Sequence, residues 1–376
     1  MARRGGGGVV VFVTSHGFGH LNRVVPVLNA LPDGLPVTVA TPRDLEPVWR
    51  QRLSRTVEFW DHPSDAGAFN PPGDSMATDG PETLRRAFET DQRQRALLPE
   101  WSVRLIEAGI DAVLSDAPAL PLVAAAHAGI PGFLLANFTW ADIYRPHAQA
   151  LGEPWTGFVE RLAEDYRLAT KTFRAQPGLT LKGQPRVETV GLVVNPARDR
   201  REQLRTLVGA DPSEKLVSFY VGRYGQADLD WERMSQLGSR SVRFVTFHAP
   251  EGVDVPNLAV VDPNQWTGSD LAASCDLVYA KAGYGTVAEA MAARTRLLYP
   301  PRSGFAEHAA LDRALRTWGG GVRVSAREFL TFGSRAVEAL LEAINQPEPP
   351  PPPLYSLDGA ARVAAALVAE SSRKGR

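Results

Sequence analysis

Three segments of this chain combine residue types that do chemistry. Thr14-Ser15-His16-Gly17-Phe18-Gly19-His20 follows an apolar run at 9–13 and precedes a second apolar stretch from Leu21. Glycines 17 and 19 let backbone approach a ligand closely, and His16 or His20 can take a proton from a hydroxyl near neutral pH. Both histidines also suit helix entry, satisfied by backbone. Ser115-Asp116-Ala117-Pro118 offers a carboxylate that can steady a protonated imidazole; as an N-cap, Asp116 would instead serve the helix that follows, and both roles can coexist. The third segment is Lys281-Ala282-Gly283-Tyr284-Gly285-Thr286-Val287-Ala288-Glu289-Ala290. A strand, a glycine turn with a hydroxyl and a helix start form an anion-binding arrangement, because the N–H groups there carry partial positive charge. Thr286 can add its hydroxyl to a phosphate, and Glu289 lies about one helical turn further on, on the face a ribose would reach. Ordinary turns use the same residues, so position matters more than letters. A fourth stretch, from Pro300 to His308, ends in Glu307 and His308. These suit sugar hydroxyls, or first-turn stabilisation of a helix dipole.

Spacing removes several other chemistries. The first turn is not Gly-x-Gly-x-x-Gly, and the second strand ends Val39-Ala40-Thr41 without a ribose-binding acid, which argues against a dinucleotide site. The His-x-x-x-His pair sits on a glycine turn, and there is no Cys/His cluster, P-loop or Gly-x-Ser-x-Gly elbow. The single cysteine, Cys275, excludes an intramolecular disulfide, reads as a buried thiol beside Asp276, and fits a reducing compartment. With 41 Lys+Arg against 42 Asp+Glu the net charge is -1, so the basic field of a nucleic-acid binder is missing. The basic N-terminus lacks a full signal-peptide core, and no stretch approaches the ~20 apolar residues needed to span a bilayer. A soluble, cytoplasmic chain is expected.

The elements that must carry these segments follow an α/β pattern. Strands are predicted at 9–14, 36–40, 56–59, 112–115, 132–136 and 188–190, with helices at 21–30, 83–108 and 119–128 between them. The texture changes near 191–205, and the scheme restarts with strands at 216–221, 243–247, 258–261, 277–279 and 296–299. Helices near 231–237, 285–293 and 308–316 accompany them. At 376 residues about two domains are expected. Each half opens with a strand and a glycine turn, which suggests two Rossmann-like domains. Prolines at 347–353 impose an extended strap, followed by an amphipathic helix at 358–369. That helix either returns to the first domain or stays on its own.

The combination resembles the GT-B glycosyltransferases. The second half resembles the nucleotide-sugar donor domain of plant UDP-glycosyltransferases and of the bacterial UDP-GlcNAc transferase of peptidoglycan synthesis. The glycosyltransferase-like N-terminal region of plant L-arabinokinases is more similar still, through His16-Gly17-Phe18-Gly19-His20, Ser115-Asp116, Asn137-Phe138-Thr139-Trp140 and the segment from Lys281 to Ala290. The resemblance implies an α/β GT-B fold of two Rossmann-like domains facing each other across a cleft. It implies an acceptor-side domain over 1–190, completed by a C-terminal helix over 356–376, a donor domain over 191–346 and a strap over 347–355. It makes His20 the base on an acceptor hydroxyl and Asp116 its carboxylate partner. Gly283, Tyr284, Gly285 and Thr286 would hold the donor phosphates, Glu289 the ribose, Glu307 and His308 the sugar, and Gly222-Arg223 a second phosphate turn. Two positions depart from the plant pattern: Val261 stands near the place of a base-stacking tryptophan, with Trp266 out of register, and Lys281 replaces a histidine.

The implied activity is transfer of a hexose or pentose from a nucleoside-diphosphate sugar, a UDP-sugar by resemblance, to a small-molecule or glycan hydroxyl. Inversion and independence of metal and cofactor are expected, the nucleotide sugar being a co-substrate. The alternatives are a nucleotide-sugar-binding or regulatory module without turnover, or a GT-B-shaped epimerase or hydrolase. No kinase half follows, so arabinose phosphorylation is not expected. Acceptor contacts are expected from the loop at 61–80; Trp140, Tyr144 and His147 can line an acceptor cleft or simply pack.

Overall fold

The computed structural model describes residues 7–14, 18–63, 65–222, 226–352 and 355–373. His16, Gly17 and Arg223, all singled out above, lie outside the described residues. The chain forms two compact units.

The first unit holds a seven-stranded sheet of β1 (Gly8–Val13), β2 (Val37–Thr41), β3 (Glu58–Asp61), β4 (Ile110–Asp116), β5 (Gly132–Ala136), β6 (Lys171–Ala175) and β7 (Val187–Val190). Its order is β3-β2-β1-β4-β5-β6-β7, and every ladder is parallel. β1 and β5 are buried along their whole length, as expected when helices cover both faces of a parallel sheet. The strand order reverses between β1 and β4, the switch point at which open α/β sheets bind ligands beyond their carboxyl ends.

The second unit repeats the scheme with β8 (Lys215–Tyr220), β9 (Val242–Thr246), β10 (Leu258–Val260), β11 (Leu277–Ala280), β12 (Leu297–Tyr299) and β13 (Gly321–Arg323). The order β10-β9-β8-β11-β12-β13 is again wholly parallel, with its switch point between β8 and β11. Phe219, Phe244, Tyr279, Phe329 and Phe332 pack in its core, with the Tyr279 ring stacked on Phe329 and Phe332 and Phe219 edge-on to Phe244.

The structure corrects the sequence reading in several places. The single helix predicted over 83–108 is two, Gly80–Arg95 and Leu98–Glu107, because Pro99 can only begin a helix. Strands β6 and β13 and helices Trp140–Leu151 and Trp155–Tyr166 were not anticipated. More consequentially, Asn70–Thr78, expected to serve the acceptor-side domain, belongs to the second unit. Met76 is buried in that unit's core, Ser75 N donates to Asp228, and Met76 and Thr78 exchange backbone hydrogen bonds with Ser303. The second unit otherwise runs Val194–Tyr355. The prolines near its end are held through their carbonyls, which accept from Arg296, Arg294 and Trp318. From Ser356 the chain rejoins the first unit. There Leu192 N donates to Ser356 O, and helix Gly359–Arg373 buries Val363, Ala364 and Leu367.

Candidate functional site

In the first unit the carboxyl ends of β1, β4 and β5 bring four side chains together. His20 stands in the first turn of helix Phe18–Asn29, and its Nδ1 lies 2.7 Å from Asp116 Oδ1. Asp116 ends β4 and is fully buried. Arg23, three residues after His20 and therefore on the same helix face, donates through Nε to Asp116 Oδ2 at 2.8 Å and through a terminal nitrogen to Oδ1. Its other terminal nitrogen donates to Asn137 Oδ1, just past β5. Burial alone would raise the Asp116 carboxyl. The Arg23 charge, with hydrogen bonds from Arg23 and His20, outweighs it and holds the group below its ordinary value, so Asp116 is a carboxylate. An ionised Asp116 can only accept, so the hydrogen in its 2.7 Å contact with His20 is assigned to Nδ1, with Arg23 also 3.0 Å from that nitrogen, and Nε2 is left with a lone pair to receive a proton.

The backbone beneath this cluster is strained. Ala117, directly after Asp116, adopts φ 80°, a conformation a residue with a Cβ rarely takes. Tyr166 donates its hydroxyl to the Ala117 carbonyl, Ser115 Oγ donates to Pro118 O, and Thr14 N donates to Asp116 O, fixing the turn. Trp140 and Tyr144 are buried, with Trp140 Nε1 donating to Asp65 and Tyr144 OH to the Gly67 carbonyl. They line a pocket with Asp65, Pro118 and Phe158.

In the second unit Gly222, Lys281, Gly283, Tyr284, Gly285, Thr286 and Glu289 lie at or just beyond the carboxyl ends of β8 and β11. Gly222 has φ 77°, which favours glycine, and a Cβ there would meet nothing within 4 Å. Gly283 is the N-cap of helix Tyr284–Ala293 and gives it no side-chain cap. Its φ of -98° suits any residue, and a Cβ would again meet nothing, so neither backbone nor packing requires glycine there. Close approach of a ligand to the backbone would. Lys281 Nζ donates to Ser75 O at 2.6 Å. Burial, then the nearby Arg302 charge, lower its pKa to about 8, against the pull of Asp228 and Asp74. Glu289 is packed against Gly268, where a Cβ would come within 2.5 Å of its carboxylate.

Glu307 and His308 begin helix Glu307–Trp318 beyond β12, and both are buried. Val261 does not present its side chain to a ligand; it packs with Val245, Trp266 and Leu271 in the core. The Trp266 ring is covered by the Arg200 guanidinium at 3.9 Å, so it offers no free face to a base. Sequence reasoning missed Arg23 and left Asn137 without a role. The i, i+3 spacing from His20 was the available signal for Arg23; nothing in the sequence tied Asn137 to it. Cys275 is buried, and burial pushes its thiol up, leaving it inert.

Two wholly parallel α/β sheets with helices are the architecture of the GT-B glycosyltransferases, and this chain has that fold. Among solved structures it is similar to the spinosyn rhamnosyltransferase SpnG complexed with spinosyn aglycone (TM-score 0.63, 18% identity, 97% of this chain and 96% of that one). It is also similar to Arabidopsis thaliana UGT89C1 complexed with quercetin (TM-score 0.60, 14% identity, 97% and 94%). A curated relative, the L-arabinokinase of Arabidopsis thaliana, is 27% identical over 330 residues, 85% of this chain. The alignment spans 30% of that protein's length. No family model matches the chain. Among the described residues no helix is long and apolar enough to cross a membrane.

Proposed function

We propose that this protein is a glycosyltransferase that moves a sugar from a nucleoside-diphosphate sugar, a UDP-sugar, to an acceptor hydroxyl with inversion. The observation that carries this reading is the contact of His20 with the buried, ionised Asp116. His20 Nε2 takes the acceptor proton as the acceptor oxygen attacks the anomeric carbon. The carbon–oxygen bond to the diphosphate breaks, and its electron pair leaves with the nucleotide. The imidazolium so formed keeps its Nδ1–H on Asp116, whose charge stabilises it. Thr286, the Gly283–Gly285 backbone, Gly222 with Arg223, and the Lys281 ammonium receive the diphosphate without a metal. Glu289 holds the ribose, and Glu307 with His308 holds the sugar. Val261 contributes to the base site through its backbone alone.

The test is release of nucleoside diphosphate from a panel of UDP- and TDP-sugars in the presence of hydroxyl acceptors. His20→Ala and Asp116→Asn are expected to lower turnover by roughly 10²–10⁴, the range for general-base catalysis. Full turnover in either variant would overturn the assignment. A second reading, a nucleotide-sugar-binding module without turnover, is favoured by the likeness to one part of a kinase. Donor binding with no transfer to any acceptor would select it.

A further inference from the structure

Among the described residues of the second unit, buried side-chain polar atoms without a hydrogen-bond partner are found singly at Asn257, Ser269 and Arg296 and together on two neighbouring segments. Ser75 Oγ, Thr78 Oγ1, Arg302 Nε and both ring nitrogens of His308 are sealed from solvent without a hydrogen-bond partner. They lie on two segments tied together by backbone hydrogen bonds, Ser303 N to Met76 O and Thr78 N to Ser303 O. His308 is itself more than nine-tenths buried. The Arg302 guanidinium rests over the Phe305 ring at 4.2 Å, with Glu307 the acid that faces it. Glu307 is engaged elsewhere in the structure as well. Buried polar groups are ordinarily paired, so a cluster left unpaired within the chain calls for a partner from outside it.

The kind of ligand follows from the donors. A guanidinium presents a planar fork of N–H groups that matches a carboxylate, and two hydroxyls and an imidazole beside it add further donors. Arg302 and His308 follow β12, one strand beyond the β11 turn, and Ser75 and Thr78 come from the segment hydrogen-bonded to Ser303. Resting on the function proposed above, in which the β11 turn takes the diphosphate and the loop after β12 takes the sugar, we infer that the donor sugar carries a carboxylate. Arg302, His308, Ser75 and Thr78 read that group, and the favoured donor is a nucleoside-diphosphate hexuronate. Segment Asn70–Thr78, drawn from the first half of the chain, is then a specificity element of the donor unit.

Calorimetric titration of the intact protein with UDP, UDP-glucose and UDP-glucuronate, and with the three thymidine counterparts, tests this. On whichever base binds, the glucuronate is expected to bind at least tenfold more tightly than the glucose. Equal affinity within twofold overturns the inference and leaves the proposed function standing; no binding by any of the six overturns both. In Arg302→Gln the preference is expected to fall to about one. If that variant instead weakens the bare diphosphate as much as the glucuronate, Arg302 serves phosphate and the inference is wrong. The near-isosteric Thr78→Val supplies a milder probe, with a two- to fivefold loss of preference expected and an unchanged preference counting against the site.

Discussion

Asp116 accepts from two side chains, and that double duty shapes what its removal does. It accepts from His20 and from Arg23, and both Arg23 and Asp116 are out of solvent. Removing one partner of a buried pair strands the other charge, at a cost of about 3–5 kcal/mol. Arg23→Met should therefore lower unfolding free energy by that amount in urea titrations, although Arg23 has no assigned chemical step. The pH dependence has a definite sign. The folded pKa of Asp116 lies below its unfolded value of about 3.9. Its stabilisation is therefore complete above about pH 4 and is lost as pH falls through the folded pKa. Asp116→Asn should flatten that acid limb, as measured by thermal melts across pH 2–5. The pairing of His20 with Asp116 was legible because His20 follows the first strand, Asp116 ends another, and the resemblance joined them. Arg23 was not, since an arginine followed by Val24-Val25 reads as an ordinary helix residue until the fold brings β4 alongside.

Among elements, the parallel strands were the most legible, because runs such as Val9-Val10-Val11 have no other explanation than burial on both faces. β6 was not: Lys171 and Arg174 break its apolar run, and its half-buried positions look like loop in sequence. Helix Trp140–Leu151 carries Pro146 within it and is opened by a capping box at Thr139 and Asp142, so a breaker signal hid a well-started helix. The destination of segment Asn70–Thr78 was invisible for a different reason. Its anchor, Met76, packs with residues more than a hundred positions away, and no local pattern encodes such a partner. Met76→Ala should cost about 2–5 kcal/mol. The loss should appear as faster amide exchange in β8, β11 and β12, with the first sheet protected as before.

At the scale of the whole molecule, the two halves repeat one topology while carrying different groups: a histidine on a buried carboxylate in the first, glycines at the strand ends in the second. Near-neutral net charge is compatible with an anionic ligand, because a helix start and a buried ammonium act locally. The last helix supports the first unit, through Val363, Ala364 and Leu367 and through Arg362, which donates to Glu188 and to the Thr189 carbonyl. A chain ending at Tyr355 should therefore lose exchange protection in β1, β4 and β7 while the second sheet keeps its own.

The two-way excursion at Asn70–Thr78 and the final return at Ser356 mean that the polypeptide passes between its units four times. Neither unit is one continuous stretch of sequence, and no single cut frees either of them whole. Anyone building a chimera by exchanging the second half at Val194 would leave nine residues of the old second unit behind in the first half. With a carboxylate-bearing sugar as the donor, two of those nine, Ser75 and Thr78, would go on selecting it. A graft that travels as two pieces would carry the specificity intact.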